Sequence, residues 1–318
     1  MAGSIPASTT PNPLPTASVE ATATLNAAAT TAVRRSAPPE SEWRLVWGRL
    51  IRNPMAILGA MIVFLSIGVS MAAPWIAPYD PIEQNVSGRL AAPSEAHWLG
   101  VDGLGRDVLS RVIYGGRVSL PVAFAVVILA SVFGTLYGAL SGFLGKWVDE
   151  ISMRVVDMVL SFPALILAMA IAAALGPSIR NSMLAMLVVW WPPYARLARG
   201  QVLALKECDF VPAARSLGMS NWRIMLRHLL PNSLAPSLVL MAMDFGNAII
   251  ITAALSFLGL GAVPPTPEWG AMVSEGRELI QQWWISTFPG LAILLVSIAC
   301  NFVGDGLRDA MDPRLRLR

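Results

Sequence analysis

Apolar stretches recur along the chain at about residues 55–73, 118–143, 155–175, 181–204, 235–260 and 285–303, with polar segments between them. Each approaches the roughly 20 residues that a helix needs to cross a bilayer. The first two are uncharged. The third has Asp157 at its mouth and ends at Gly176-Pro177. The fourth is apolar from Asn181 to Ala195, is interrupted by Pro192-Pro193, and must run on past Arg196 and Arg199. The fifth contains Asp244. The pattern predicts an all-α polytopic membrane protein with six transmembrane helices over 55–318. Ahead of it, 41–54 alternates Trp43, Leu45, Val46, Trp47, Leu50 and Ile51 with Arg44, Arg49 and Arg52. That segment reads as an interfacial amphipathic helix ending at the Asn53-Pro54 corner. Residues 1–40 are rich in Ala, Thr, Pro and Ser with no apolar run, the composition of a disordered tail.

The longest polar and basic interval between two apolar regions is 206–231, and within it Asp209 to Pro231 reads as two short helices with a break. Asp209 is placed to cap the first, Pro212 lies in its first turn and Gly218 falls just past its end. Phe210, Ala213, Ala214 and Leu217 then share one face at i, i+3, i+4 and i+7. This small, Ala-centred ridge suits a groove in another protein. Ser220 is placed to cap the second helix and Pro231 to stop it. Its apolar stripe is Trp222, Met225, Leu226, Leu229 and Leu230, with Arg223 and Arg227 off the stripe, which suits a membrane surface.

Composition agrees with a membrane solvent. Hydrophobic residues make up 55% of 318 and charged residues 14%, against about 25% charge in soluble domains. The mean hydropathy is +0.59. The net charge of +3 comes with no basic stripe interleaved with aromatics, so nucleic acid is not an expected partner. The cysteines, Cys208 and Cys300, suggest packing rather than a disulfide framework.

Charge also orients the spans. With the N-terminus in the cytoplasm, only Arg89, Arg106, Arg111, Arg117, Arg180 and Arg277 of the 23 Lys and Arg fall outside. The positive-inside bias therefore places both termini and the 206–231 loop in the cytoplasm of a bacterial cell membrane.

Candidate chemistry is sparse. Gly103-Leu104-Gly105-Arg106 follows no strand, and reads as a tight turn starting a short helix over Arg106–Tyr114 rather than a nucleotide fingerprint. Gly142-Phe143-Leu144-Gly145-Lys146 lacks the P-loop spacing, so the chain has no ATP-hydrolysing motif. His97 alone is not a metal site. Asp157 pairs with Arg154 at helical spacing, Arg308 and Asp309 read the same way, and Trp283-Trp284 fit an interfacial belt. Asp244, ionised and facing lipid, would cost about 2.5–3.5 kcal/mol, so it should face the interior or water. It either joins Asn247 and Thr252 in a polar stripe along a path, or pairs locally and lines nothing. A stand-alone secondary transporter would show paired intramembrane acids or repeated broken helices. A membrane-embedded enzyme would show clustered His, Asp or Glu. Neither pattern is seen.

The 209–231 interval resembles the cytoplasmic loop motif of bacterial ATP-binding-cassette importers, E-A-A-x3-G-x9-I-x-L-P. Ala213, Ala214, Gly218, Leu230 and Pro231 match in register, with Pro212 in place of the usual Glu and His228 in place of Ile. Residues 100–120, 153–168, 257–270, 288–295 and 301–315 resemble the second membrane subunit of dipeptide/oligopeptide importers. The similarity runs from about Trp43 to the C-terminus. The resemblance implies a type I importer permease, paired with a homologous permease subunit, two cytoplasmic ATPases that bind ATP and Mg, and an extracytoplasmic solute-binding protein. It implies no cofactor and no catalytic residue in this chain. Phe210, Pro212, Ala213, Ala214, Arg215, Leu217 and Gly218 would form the helix that docks into the ATPase. Di- or oligopeptides are the implied cargo, with nickel, glutathione and haem as alternatives among relatives.

Overall fold

The structure is a computed structural model that describes residues 42–311, so the tail expected over 1–40 lies outside it. Regular structure among these residues is helical, with one isolated bridge between Val101 and Asp107. In chain order the helices are α1 (Glu42–Leu50), α2 (Pro54–Met71), α3 (Ala73–Ile76), α4 (Val108–Leu144), α5 (Lys146–Leu160), α6 (Ala164–Leu175) and α7 (Ile179–Lys206). They continue with α8 (Phe210–Ser216), α9 (Asn221–Ile224), a π turn (Met225–Leu229), α10 (Leu230–Phe257), α11 (Trp269–Gly276) and α12 (Trp284–Met311). Two of the starts follow directly from sequence. Asn53 accepts from the Met55 and Ala56 amides (3.0 and 3.3 Å) with Pro54 in the first turn, and Asp107 accepts from the Ser110 amide at 2.8 Å.

Four helical stretches are long and apolar enough to cross a membrane on their own: α2, α4, Asn221–Phe257 and α12. The span predicted over 155–175 is not one straight helix. It is divided between α5 and α6, which meet at 87° and together would make a fifth crossing. Pro163 supplies the break: it lacks an amide hydrogen and pushes Phe162 out of the helical region. The fourth predicted span is α7, one helix of 28 residues that continues through Pro192 and Pro193 into the basic segment. Its prolines and arginines keep it below the hydropathy of the other four.

The short helix expected over Arg106–Tyr114 is also different. It forms the first turns of α4, which is 37 residues long. Gly115 and Gly116 lie inside this helix and are places of close approach. A Cβ on Gly115 would lie 2.7 Å from the Trp269 indole, and one on Gly116 would collide with Ser70. The same device joins α4 to α7. A Cβ on Gly134 would strike the Trp191 carbonyl and one on Gly138 the Ala195 carbonyl. Small residues one turn apart let two backbones meet, which is how helices associate without a hydrophobic driving force between them. Leu120, Val126, Val127, Met186, Ile249, Leu255 and Val296 fill the main core beside this seam.

Candidate functional site

The basic interval lies beyond the C-terminal end of α7. Lys206 donates to the Gly142 and Phe143 carbonyls (3.1 and 3.2 Å), the last exposed acceptors of α4. After a turn at Glu207–Asp209 the chain enters α8. Asp209 does not cap it: its backbone is already helical and its side chain makes no cap bond. The end of α8 is a Schellman motif. Gly218 at φ +80° donates to Arg215 O (2.9 Å) and Met219 to Ala214 O (3.1 Å). Met219 packs onto the cluster that includes Ala214.

The face predicted for α8 is divided. Val211 and Ala214 turn inward and pack with Ala139, Ala198, Val202, Ile224 and Leu229. Ala214 is therefore not available to another protein. Phe210, Pro212, Ala213, Arg215, Leu217 and Gly218 are exposed, and Leu217 is 85% exposed. The next segment divides likewise. Ser220 caps α9 (3.4 Å to Arg223 N), Met225 and Leu229 are buried, and Trp222 and Leu226 are exposed. Pro231 does not stop this helix. It occupies the first turn of α10, where its missing amide leaves no bond unmade, and the π turn joins α9 to α10.

Beside α8 is a polar brace that sequence reasoning did not find. Asp149 on α5 accepts two bonds from Arg199 on α7, both 2.6 Å, and a third from Ser141 Oγ at 2.7 Å. The Arg199 hydrogen bond, opposed by burial, holds the Asp149 carboxyl below its ordinary range. Nearby, Asp157 pairs with Arg196 at 2.6 Å rather than with Arg154, which pairs instead with Glu150 at 2.8 Å. Fifty residues separate Asp149 from Arg199, so no local spacing signals the contact.

The three path candidates do not form one stripe. Asp244 Oδ2 accepts from Tyr194 OH (2.7 Å) and Trp190 Nε1 (3.2 Å), which ties α10 to α7. Asn247 is exposed. Thr252 is buried in the core, donating to Ala248 O at 2.6 Å. Five residues of helix turn Asn247 and Thr252 about 140° apart.

At the far end of α4, Asp102, Arg106 and Arg111 are buried and meet Glu275 of α11. Arg106 reaches Asp102 at 2.6 Å and Glu275 at 2.8 Å, while Arg111 reaches them at 2.7 and 3.1 Å. Burial, against the pull of Arg106, pushes the Glu275 carboxyl above its ordinary range. Glu268 caps α11 and also accepts from Ser119 Oγ at 3.0 Å. Trp283 is exposed, but Trp284 is buried, donating to Val101 O at 3.2 Å, and so does not belong to a belt.

Residues 134–317 match the family model described as the binding-protein-dependent transport system inner membrane component. Residues 41–93 match the N-terminal TM domain of oligopeptide transport permease C. The dipeptide transport system permease protein DppC of Alkalihalophilus pseudofirmus is 45% identical over 288 residues, 88% of this chain and 95% of that one. The probable D,D-dipeptide transport system permease protein DdpC of Escherichia coli is 46% identical, covering 85% and 91%. The glutathione transport system permease protein GsiD of Pectobacterium atrosepticum is 42% identical, covering 91% and 96%. Among solved structures, an inward-facing MetNI methionine ABC transporter chain superposes with a TM-score of 0.52 at 16% identity, covering 64% of this chain and 98% of that one, a likeness of fold.

Proposed function

This chain belongs to the family of binding-protein-dependent transport system inner membrane components and is a multi-pass permease of an ATP-binding-cassette importer, and from that premise we propose that α8 couples it to an ATPase. In this reading both termini and α8 face the cytoplasm, and a homologous permease completes the path. Two cytoplasmic ATPases bind ATP and Mg, and a solute-binding protein delivers cargo from outside. This chain holds no cofactor and carries out no bond chemistry. The observation that carries the reading is the division of α8. Val211 and Ala214 fasten it to α4 and α7, while Ala213 and Leu217 stand exposed on the adjoining face and Phe210, also exposed, lies against the His228 ring. A helix held firmly on one side and bare on the other transmits a push to the spans behind it. ATP binds the closed ATPase pair better than the open one, and that difference supplies the bias.

Di- or oligopeptides are the proposed cargo, because the relatives named for dipeptides and D,D-dipeptides are similar along nearly the whole chain. The relatives named for glutathione favour a second reading in which that tripeptide is carried. The test of coupling is Leu217→Asp combined with Ala213→Arg, both on exposed positions. Membrane insertion should persist while ATPase subunits no longer co-purify and uptake is lost. Uptake at the parental rate would remove the docking assignment.

A further inference from the structure

Asp244 sits near the middle of α10 and is an acid without a counter-ion. Among the described residues, no Lys, Arg or His forms an ion pair with it. Instead two donors from α7, the fully buried Tyr194 hydroxyl and the Trp190 indole, converge on one oxygen, Oδ2. The other oxygen, Oδ1, takes no bond from α7, and the Asn247 side chain lies within hydrogen-bonding range of the carboxylate. Asn247, one turn on, is exposed on the same side of α10. The carboxylate is thus aimed by rigid aromatic donors on Oδ2, with its other oxygen on the side of a polar, accessible neighbour.

A carboxylate in this setting calls for a cation. Neutral donors on Oδ2 orient it without cancelling its charge, and the low-dielectric surroundings strengthen attraction for any cation that arrives. We infer that Asp244 is a way-station for the α-ammonium group of the transported peptide, held by Oδ1 with Asn247 alongside. This rests on the peptide-permease reading and on α10 facing the path. A free amino terminus is the one cation that every unmodified dipeptide carries, whatever its side chains. One fixed acid therefore suits a carrier of varied sequences. Tyr194 and Trp190 act as positioning residues.

The test uses the whole complex with its binding protein in proteoliposomes and dialanine as the probe. Asp244→Asn keeps an oxygen to accept from Tyr194 and Trp190 but removes the charge. Dialanine uptake should fall about tenfold, the loss expected for one hydrogen bond to a charged group. Asp244→Glu should restore most of it. Uptake by Asp244→Asn equal to the parent would overturn the inference and leave a plain interhelical link. A second arm separates this from the path itself: Asn247→Cys, in a background without Cys208 and Cys300, treated with a water-soluble thiol reagent. Labelling slowed by dialanine supports both. Labelling with unchanged dialanine uptake in Asp244→Asn defeats the ammonium site but not the path. No labelling from either side defeats the path, and the site with it.

Discussion

Ala213 and Ala214 are neighbours with opposite surroundings. Ala213 is exposed, while Ala214 is packed against residues of α4, α7 and α9. Replacing Ala214 by a large charged residue therefore damages the permease itself, and only Ala213 reports on a partner. Asp149 shows how a single acid ties two helices. Its folded pKa lies below the ordinary 3.8, so its contribution is fully present above that value and is lost as pH falls through the lower folded value. Asp149→Asn should lower the Tm of the detergent-solubilised protein by a constant amount above about pH 5, with the gap closing below about pH 4. A Tm difference that stays level down to pH 3 would remove the charge pair as the cause.

The seam between α4 and α7 depends on absent side chains. Gly138→Leu would drive atoms into the Ala195 backbone, which cannot move without shifting α7. Overpacking of this kind costs about 1–3 kcal/mol where side chains can adjust, and more against backbone. Loss of the folded, monodisperse protein in size-exclusion chromatography is expected. Gly200→Ala is the control, because a Cβ there meets nothing within 4 Å. It should fold as well as the parent or slightly better, since Gly costs up to about 1 kcal/mol in a helix interior. The division of the 155–175 span into two helices follows from Pro163 in the same local way.

Across the whole chain, orientation follows from where the arginines fall. A cysteine at 215, in a background without Cys208 and Cys300, is expected to resist a membrane-impermeant thiol reagent in intact cells and to react in inverted vesicles. Reaction in intact cells would reverse the orientation and remove α8 from the ATPase side. The ion cluster joining α11 to the start of α4 lies at the end of α4 remote from α8. A 37-residue helix spans about 55 Å at 1.5 Å per residue, so α4 alone connects the two polar ends.

Periodicity and composition determined most of the architecture by themselves. Long uncharged runs admit only membrane helices, Asn53-Pro54 and Asp107 start helices through bonds within one turn, and the Gly218 stop lies within the motif itself. These are local interactions, so neighbouring residues encode them. The inward turn of Ala214, the Asp149–Arg199 brace, the Asp102–Arg106–Arg111–Glu275 cluster and the Tyr194 and Trp190 donors to Asp244 were not legible that way. Each joins residues on different helices or depends on which side of a helix meets a neighbour. A 3.6-residue period says that a helix has faces, but the packing of the other helices chooses which face is covered.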